Sequence, residues 1–304
     1  MKIGLFIPVK KYDDYNKVAA SIWIRVLQMK KYYESSGNKV FINNYRQKYD
    51  VVVFYRLMNF RFFFKFIFVF FRTKKIYFDI CTNLFEKHQN NDLKGLILSR
   101  IVAYLCNGII CSTDSLVEVA KKYSKSSFVM YDCLEKKYLL HKKNINFDSP
   151  MFGWSGVSSK AHFLSEYKNY LDDKTILIAD KNIDLGFKYI FYPWKYETFD
   201  ENLNKCDIGF LPREFNNNYD LHHSSFKALV FALKGIPIIA NKLPSYARLS
   251  KFYNGIVFLE DYNNSIDECI KELKKRNLEI DKTWSEYSCD NQVKRILKYF
   301  TEKL

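Results

Sequence analysis

DIGFLPREFNNNYDLHHSSFKALVFALKGIPIIAN, residues 207–241, is the stretch whose reading decides the fold. Residues 207–212 read as a short apolar strand closing at Pro212, and 213–223 as a polar loop. Ser224 and Ser225 stand where a helix wants its N-cap. Phe226, Leu229, Val230 and Leu233 then recur at i, i+3, i+4 and i+7, which is one apolar helical stripe. Gly235 stops that helix, Pro237 forbids its continuation, and 236–240 reads as a buried strand. Strand, loop, helix and strand make a βαβ unit whose loop lies at the C-terminal edge of a parallel sheet, where open α/β sheets bind ligands. The loop holds Arg213, Glu214, His222 and His223, and the helix opens with two hydroxyls and then Lys227. Free amides, a positive dipole end and a nearby lysine predict an anion site, most simply for phosphate. An ordinary βαβ unit with polar decoration is the plain alternative.

The same alternation extends in both directions. Strands are predicted at 2–9, 39–43, 50–55, 74–80, 108–112 and 127–131, with helices at 19–33, 60–71, 93–105 and 114–123 between them. From 132 to 150 the apolar period lapses into lysines and asparagines. A second alternating set starts at Met151 with MFGWSG, includes a helix near 161–171, and closes with a helix over 285–302. The expected organisation is an N-terminal Rossmann-like domain over 1–132, a linker at 133–150 and a C-terminal Rossmann-like domain over 151–284. The last helix, 285–304, is expected to pack back across the domain junction. Two α/β halves in tandem predict a central cleft between them, a favoured ligand position.

The chain has 304 residues, enough for two domains, and 48 % of them are apolar, enough for two cores. Lysine and arginine number 48 against 33 acidic residues, so the net charge of +15 predicts an acidic partner: nucleic acid, an anionic membrane face or phosphorylated small molecules. The seven cysteines follow no ligand spacing and read as buried thiols of a reducing compartment, with no zinc site. Met1-Lys2 leads directly into an apolar strand, which predicts no cleaved leader. The most apolar stretch, 60–71, is interrupted by Arg61 and Lys65 and falls short of the roughly 20 residues a membrane span needs. A cytoplasmic protein, soluble or peripheral on the inner face of the cell membrane, is expected. The aromatic and cationic run 56–75 has two readings. One is a core helix packed on the sheet; the other is a face docking on anionic lipid.

These blocks carry a resemblance. SIWIRVLQMKKYYESSGNKV, YDVVVFYR, KKIYFDICTNLF, FGWSG, CDIGFLPRE and FKALVFALKGIPIIAN are similar, in order and spacing, to segments of GT-B-fold glycosyltransferases. The group resembled is the broad retaining family-4-like one that builds bacterial surface polysaccharides from nucleotide-activated sugars. The resemblance spans nearly the whole chain. It implies an α/β GT-B architecture, two Rossmann-like parallel-sheet domains facing a cleft, and a retaining, metal-independent transferase. The nucleotide-sugar is a co-substrate, with no cofactor bound, and the acceptor is a glycan or lipid-linked glycan of capsule or lipopolysaccharide synthesis.

On that resemblance Lys227, Arg213, Glu214 and His222 are the candidate catalytic residues. Ser155, Gly156, His223, Ser224 and Ser225 join Lys227 around the donor, and Arg25 and Asp79 stand on the acceptor side. Each has an ordinary alternative: a solvated helix lysine for Lys227, loop charges for Arg213 and Glu214, a surface pair for His222 and His223, a tight turn for Ser155-Gly156, a surface arginine for Arg25 and a turn or cap role for Asp79. Two departures stand out. The family's paired glutamates, eight positions apart, fall on His222 and Val230, and the block resembling D-I-D-D reads Asp79-Ile80-Cys81-Thr82. Either donor recognition is altered, or the chain is a non-catalytic partner of another transferase. A basic nucleic-acid-binding protein is a third reading, supported by charge alone; no nucleic-acid motif is present, and no such partner is expected.

Overall fold

The computed structural model describes residues 1–9, 12, 18–56, 60–86, 93–135, 144–171, 173–213 and 218–302. The chain divides into two compact units. The first comprises Met1–Cys133, Asn216–Ser224 and Tyr287–Leu304; the second comprises Leu134–Phe215 and Ser225–Glu286.

The first unit contains β1 (Lys2–Phe6), α1 (Ala20–Ile22), a π-helical turn at Trp23–Leu27, α2 (Gln28–Ser35), β2 (Lys39–Ile42) and β3 (Tyr49–Tyr55). There follow α3 (Phe60–Phe70), β4 (Thr73–Ile80), α4 (Leu93–Leu105), β5 (Gly108–Cys111), α5 (Asp114–Ala120) and β6 (Ser127–Val129). Its six strands lie in the order β2-β1-β3-β4-β5-β6, and every neighbouring pair is parallel. Parallel strands need helical crossovers and are covered on both faces, so they read as unbroken apolar runs. In β3, Val51, Val52 and Phe54 are all fully buried. The helix predicted at 60–71 is α3, and Phe62, Phe66 and Val69 are its core face. The helix predicted at 19–33 is present as α1, the π-turn and α2 in unbroken succession. Thr113 caps α5, its hydroxyl accepting from the Leu116 amide at 3.2 Å.

The second unit contains β7 (Phe152–Gly156), a 3-10 helix at Ser158–Tyr167, β8 (Ile176–Ala179), β9 (Ile190–Pro193), α6 (Phe199–Leu203) and β10 (Ile208–Leu211). The short α7 (Asn218–Leu221) belongs to the first unit. The second unit resumes with α8 (Phe226–Ala232), β11 (Ile238–Ala240), α9 (Pro244–Leu249), β12 (Ile256–Phe258) and α10 (Ile266–Lys274). Its six strands run in the order β12-β11-β10-β7-β8-β9, again all parallel. The Asp207 carboxylate gathers the chain entering this sheet, accepting from the amides of Asn146 at 3.1 Å and Met151 at 3.0 Å.

Several elements differ from expectation: the stretch 213–223, read as a loop, holds the short α7, and two helices change their form. The α-helix predicted near 161–171 is the 3-10 helix, whose buried Ser158, Ala161 and Leu164 repeat every three residues; three residues per turn keeps them on one face. The single helix predicted at 285–302 is two, α11 (Asp281–Tyr287) and α12 (Cys289–Glu302). Ser288 starts the second, its hydroxyl accepting from the Asn291 amide at 3.4 Å as an N-cap does.

Helix α12 completes the core of the first unit. Phe300 is fully buried and stacks on Tyr77 at 4.7 Å between ring centroids. Gln292 accepts from the Tyr131 amide at 3.0 Å, and the Lys75 ammonium donates to the Phe300 carbonyl at 3.3 Å. Replacing a buried phenylalanine removes transfer energy and leaves a void. Phe300→Ala is therefore expected to destabilise the protein by about 3–5 kcal/mol, read as a lower urea midpoint.

Candidate functional site

The second sheet has a topological switch. The chain builds outward from β7 through β8 to β9, then returns to β10 on the other side of β7 and builds away through β11 to β12. Ligands of open α/β sheets collect beyond the strand ends at such a point. β7 ends in Ser155 and Gly156, and β10 runs into Pro212 and Arg213. A small recess here is lined by Trp154, Lys160, Phe163, Arg213, Lys227 and Tyr246, together with Leu211 and Pro212.

Lys227 lies in the first turn of α8, with its ammonium 4.1 Å above the centroid of the Trp154 ring. Its stem passes so close to β7 that a Cβ on Gly156 would fall 2.7 Å from Lys227 Cε. The absence of a side chain on Gly156 leaves the space that the Lys227 stem occupies. Arg213 is held at both ends. Its amide donates to Asn241 Oδ1 at 2.7 Å, and its guanidinium bonds the Tyr246 hydroxyl. Burial pushes that hydroxyl's pKa up, while the guanidinium draws it the other way. Asn241 is fixed in turn by donating to Glu260 Oε1 at 2.9 Å. Lys160, on the 3-10 helix, brings a third cation to the recess, and no carboxylate is among its described lining residues. The recess thus gathers three cations around one indole, the kind of side chains that recognise anions. Lys160 was missed in the sequence; its signal was a lysine four residues beyond the FGWSG turn.

The other candidates are placed as follows. Ser155 is buried on β7. Ser225 occupies the N-cap of α8, but its hydroxyl makes no capping bond. Its backbone, at φ −77° and ψ 9°, is not the extended conformation that aims a cap side chain at the first-turn amides. Ser224, His222 and His223 fall in the first unit. His222 is buried, and its carbonyl accepts from the Thr113 hydroxyl at 3.3 Å. Burial lowers its pKa, with Glu86 opposing and Lys122 adding to the effect, so the ring is neutral at pH 7. Its Nδ1 is buried without a hydrogen-bond partner among the described residues. His223 Nε2 is 3.9 Å from Asp220 Oδ1. Glu214 lies outside the described residues. Val230, at the second glutamate position of the resemblance, is 2 % exposed and belongs to the core.

Arg25 is not the surface arginine allowed for by the sequence. It is buried on the π-turn, donating to Asp79 Oδ1 from Nε at 2.8 Å and to Asp132 Oδ1 and the Met130 carbonyl from Nη1 at 2.7 and 2.9 Å. Asp79 is equally buried. Burial pushes its carboxyl up to about 6, Arg25 pulls against that, and Asp132 adds to the rise. Among the described residues no cluster of three His, Cys, Asp or Glu is placed to hold a metal ion. All seven cysteines are buried, and no disulfide joins them.

No family profile and no curated protein matches the sequence. Its structure does have counterparts. HepE of Anabaena, solved in complex with UDP and glucose, matches with a TM-score of 0.62 over 99 % of this chain and 100 % of that chain, at 12 % identity. AviGT4, a glycosyltransferase of avilamycin A biosynthesis, matches with a TM-score of 0.61 over 99 % and 97 %, at 8 % identity. The chain has the GT-B fold. An α-glucosyltransferase, solved with UDP and a 13-mer DNA, shares this GT-B architecture at a TM-score of 0.56 and 10 % identity.

Removing one partner from a buried ion cluster leaves uncompensated charge. Arg25→Met is expected to destabilise the protein by about 3–5 kcal/mol in urea denaturation. Without the cation, Asp79 rises further above the value it has in the unfolded chain. Below the new value the folded protein holds the proton and the buried charge is gone. The loss is therefore expected to be smaller at about pH 5 than at about pH 8.

Proposed function

We propose that this protein transfers a sugar from a nucleotide-sugar, most simply a UDP-sugar, to a glycan acceptor. The observation that carries the reading is the cluster of Lys160, Arg213 and Lys227 around one recess at the switch point of the second sheet. The GT-B neighbours solved with UDP support the choice of donor. The Lys227 ammonium, braced by Trp154, bonds the donor diphosphate and gains strength as negative charge grows on the departing nucleotide. Arg213, set by Asn241 and Tyr246, orients the same group, and Lys160 adds charge to hold it. Ser155 and Gly156 let the donor approach the backbone at the end of β7. Transfer with retention of configuration, without a bound metal, onto a lipid-linked surface glycan at the inner face of the cell membrane completes the proposal.

A second reading has its own observation. Val230 is packed in the core where the resemblance expects the glutamate that holds the nucleotide ribose. A chain lacking that contact serves as a non-catalytic partner of an active transferase. The two readings part on nucleotide binding. A thermal-shift screen of UDP, GDP, ADP, CMP and their sugar conjugates tests them: a ligand at about a hundred times its Kd stabilises by roughly 2.7 kcal/mol. The enzyme reading expects one clear responder, with the shift abolished in Lys227→Ala and turnover reduced by about a hundred- to a thousandfold. A folded protein silent to the whole panel favours the partner reading.

A further inference from the structure

Helices α3 and α4 are successive crossovers, from β3 to β4 and from β4 to β5. Phe62, Phe66 and Val69 of the first and Leu98, Val102 and Ala103 of the second enter one core cluster, so the helices cover the same face of the sheet. Each has a second apolar row at helical spacing that the core does not take up. On α3 and the residue after it the row is Phe60, Phe64, Phe68 and Phe71; on α4 it is Leu93, Ile97, Ile101 and Tyr104. Their exposures run from 40 % at Ile101 to 81 % at Phe71 and 82 % at Tyr104. Single exposed apolar residues need no explanation, but two rows on neighbouring helices mark a contact surface.

The charge carried by the residues of α3 and α4 has one sign. No Asp or Glu occurs from 51 to 78 or from 93 to 113, whereas Arg61, Lys65, Arg72, Lys94 and Arg100 lie among or beside the apolar rows. The Arg72 guanidinium lies 4.8 Å above the Phe68 ring, and the Lys65 ammonium 4.6 Å above Tyr45. A second copy of this face would set cation against cation. A layer of anionic headgroups over hydrocarbon supplies the opposite charge and an apolar bed for the rings.

We infer that the α3–α4 face docks the protein on a bilayer containing anionic lipid. The evidence is independent of the donor site; the inference rests on the proposed function only for its purpose, to bring the protein to a lipid-linked acceptor. The test is co-sedimentation of the full chain with vesicles of phosphatidylcholine, alone or with phosphatidylglycerol. Binding is expected only with phosphatidylglycerol and should weaken steeply as salt is raised. Both Phe64→Ser with Tyr104→Ser and Lys65→Glu with Lys94→Glu change exposed side chains, and each pair should lower vesicle partitioning by about tenfold or more. Wild-type protein that stays in the supernatant overturns the inference, as does binding that neither pair of substitutions weakens. So does a dimer in light scattering that the serine pair dissociates, because the occupant is then a second copy. The UDP-sugar thermal shift is measured on the same variants. Failed docking with the shift retained overturns this inference alone, and a lost shift with docking retained overturns the donor reading alone.

Discussion

A charge held out of water organises the first unit. Arg25 projects from a π-turn and bonds a carboxylate at the end of β4, a carbonyl just past β6 and a second carboxylate two residues beyond that carbonyl. Burying a guanidinium is costly unless its donors are matched. The helix run, the centre of the sheet and the chain leaving its edge therefore have to assemble together. The π-turn has a reason in this setting, since widening a helix by one residue re-aims a side chain. The apolar strands supply most of the drive to collapse, while the ion cluster fixes which helix position meets which strand end.

In the second unit the organising constraint is topology. Reversal of strand order between β7 and β10 leaves the ends of two adjacent strands uncrossed by a connection, and the recess forms there. Its cations come from three separate segments: the 3-10 helix after β7, the loop after β10 and the first turn of α8. None is close to another in sequence. Trp154 and Gly156 work as a pair on one strand, the indole giving the Lys227 ammonium a face to lie on and the glycine giving its stem room.

Much of this was legible in the sequence because parallel α/β architecture writes itself as short apolar runs between helical stripes. The βαβ unit at 207–241, the strand blocks, the core helix at 60 and the apolar role of Val230 could all be read by period alone. The Lys227–Gly156 proximity could not, because it depends on how far a lysine stem reaches over a neighbouring strand. Lys160 was not legible because it stands before the stretch that carries a helical period, and only the 3-10 helix starting at Ser158 includes it. Arg25 could be read only as an acceptor-side or a surface residue, because its partners lie 54 and 107 positions away. Ser225 looked like a cap by residue type, but capping depends on backbone angles that composition does not carry. The solvent-facing row of α4 was not legible, because the helix is apolar on most sides and only its packing partners decide which apolar residues remain uncovered.

Helix α12 also bears on how the protein is made. A ribosome produces the six strands of the first sheet early, then the whole second unit, and only then the segment whose Phe300 lies on Tyr77. Until that segment emerges, the part of the first unit's core that Phe300 fills is left open. Nascent chains with such surfaces are those that chaperones hold and that aggregate when synthesis outpaces folding. The second unit, by contrast, has nearly all its sequence in one stretch and can close on itself first. The first unit is thus begun before the second and completed after it.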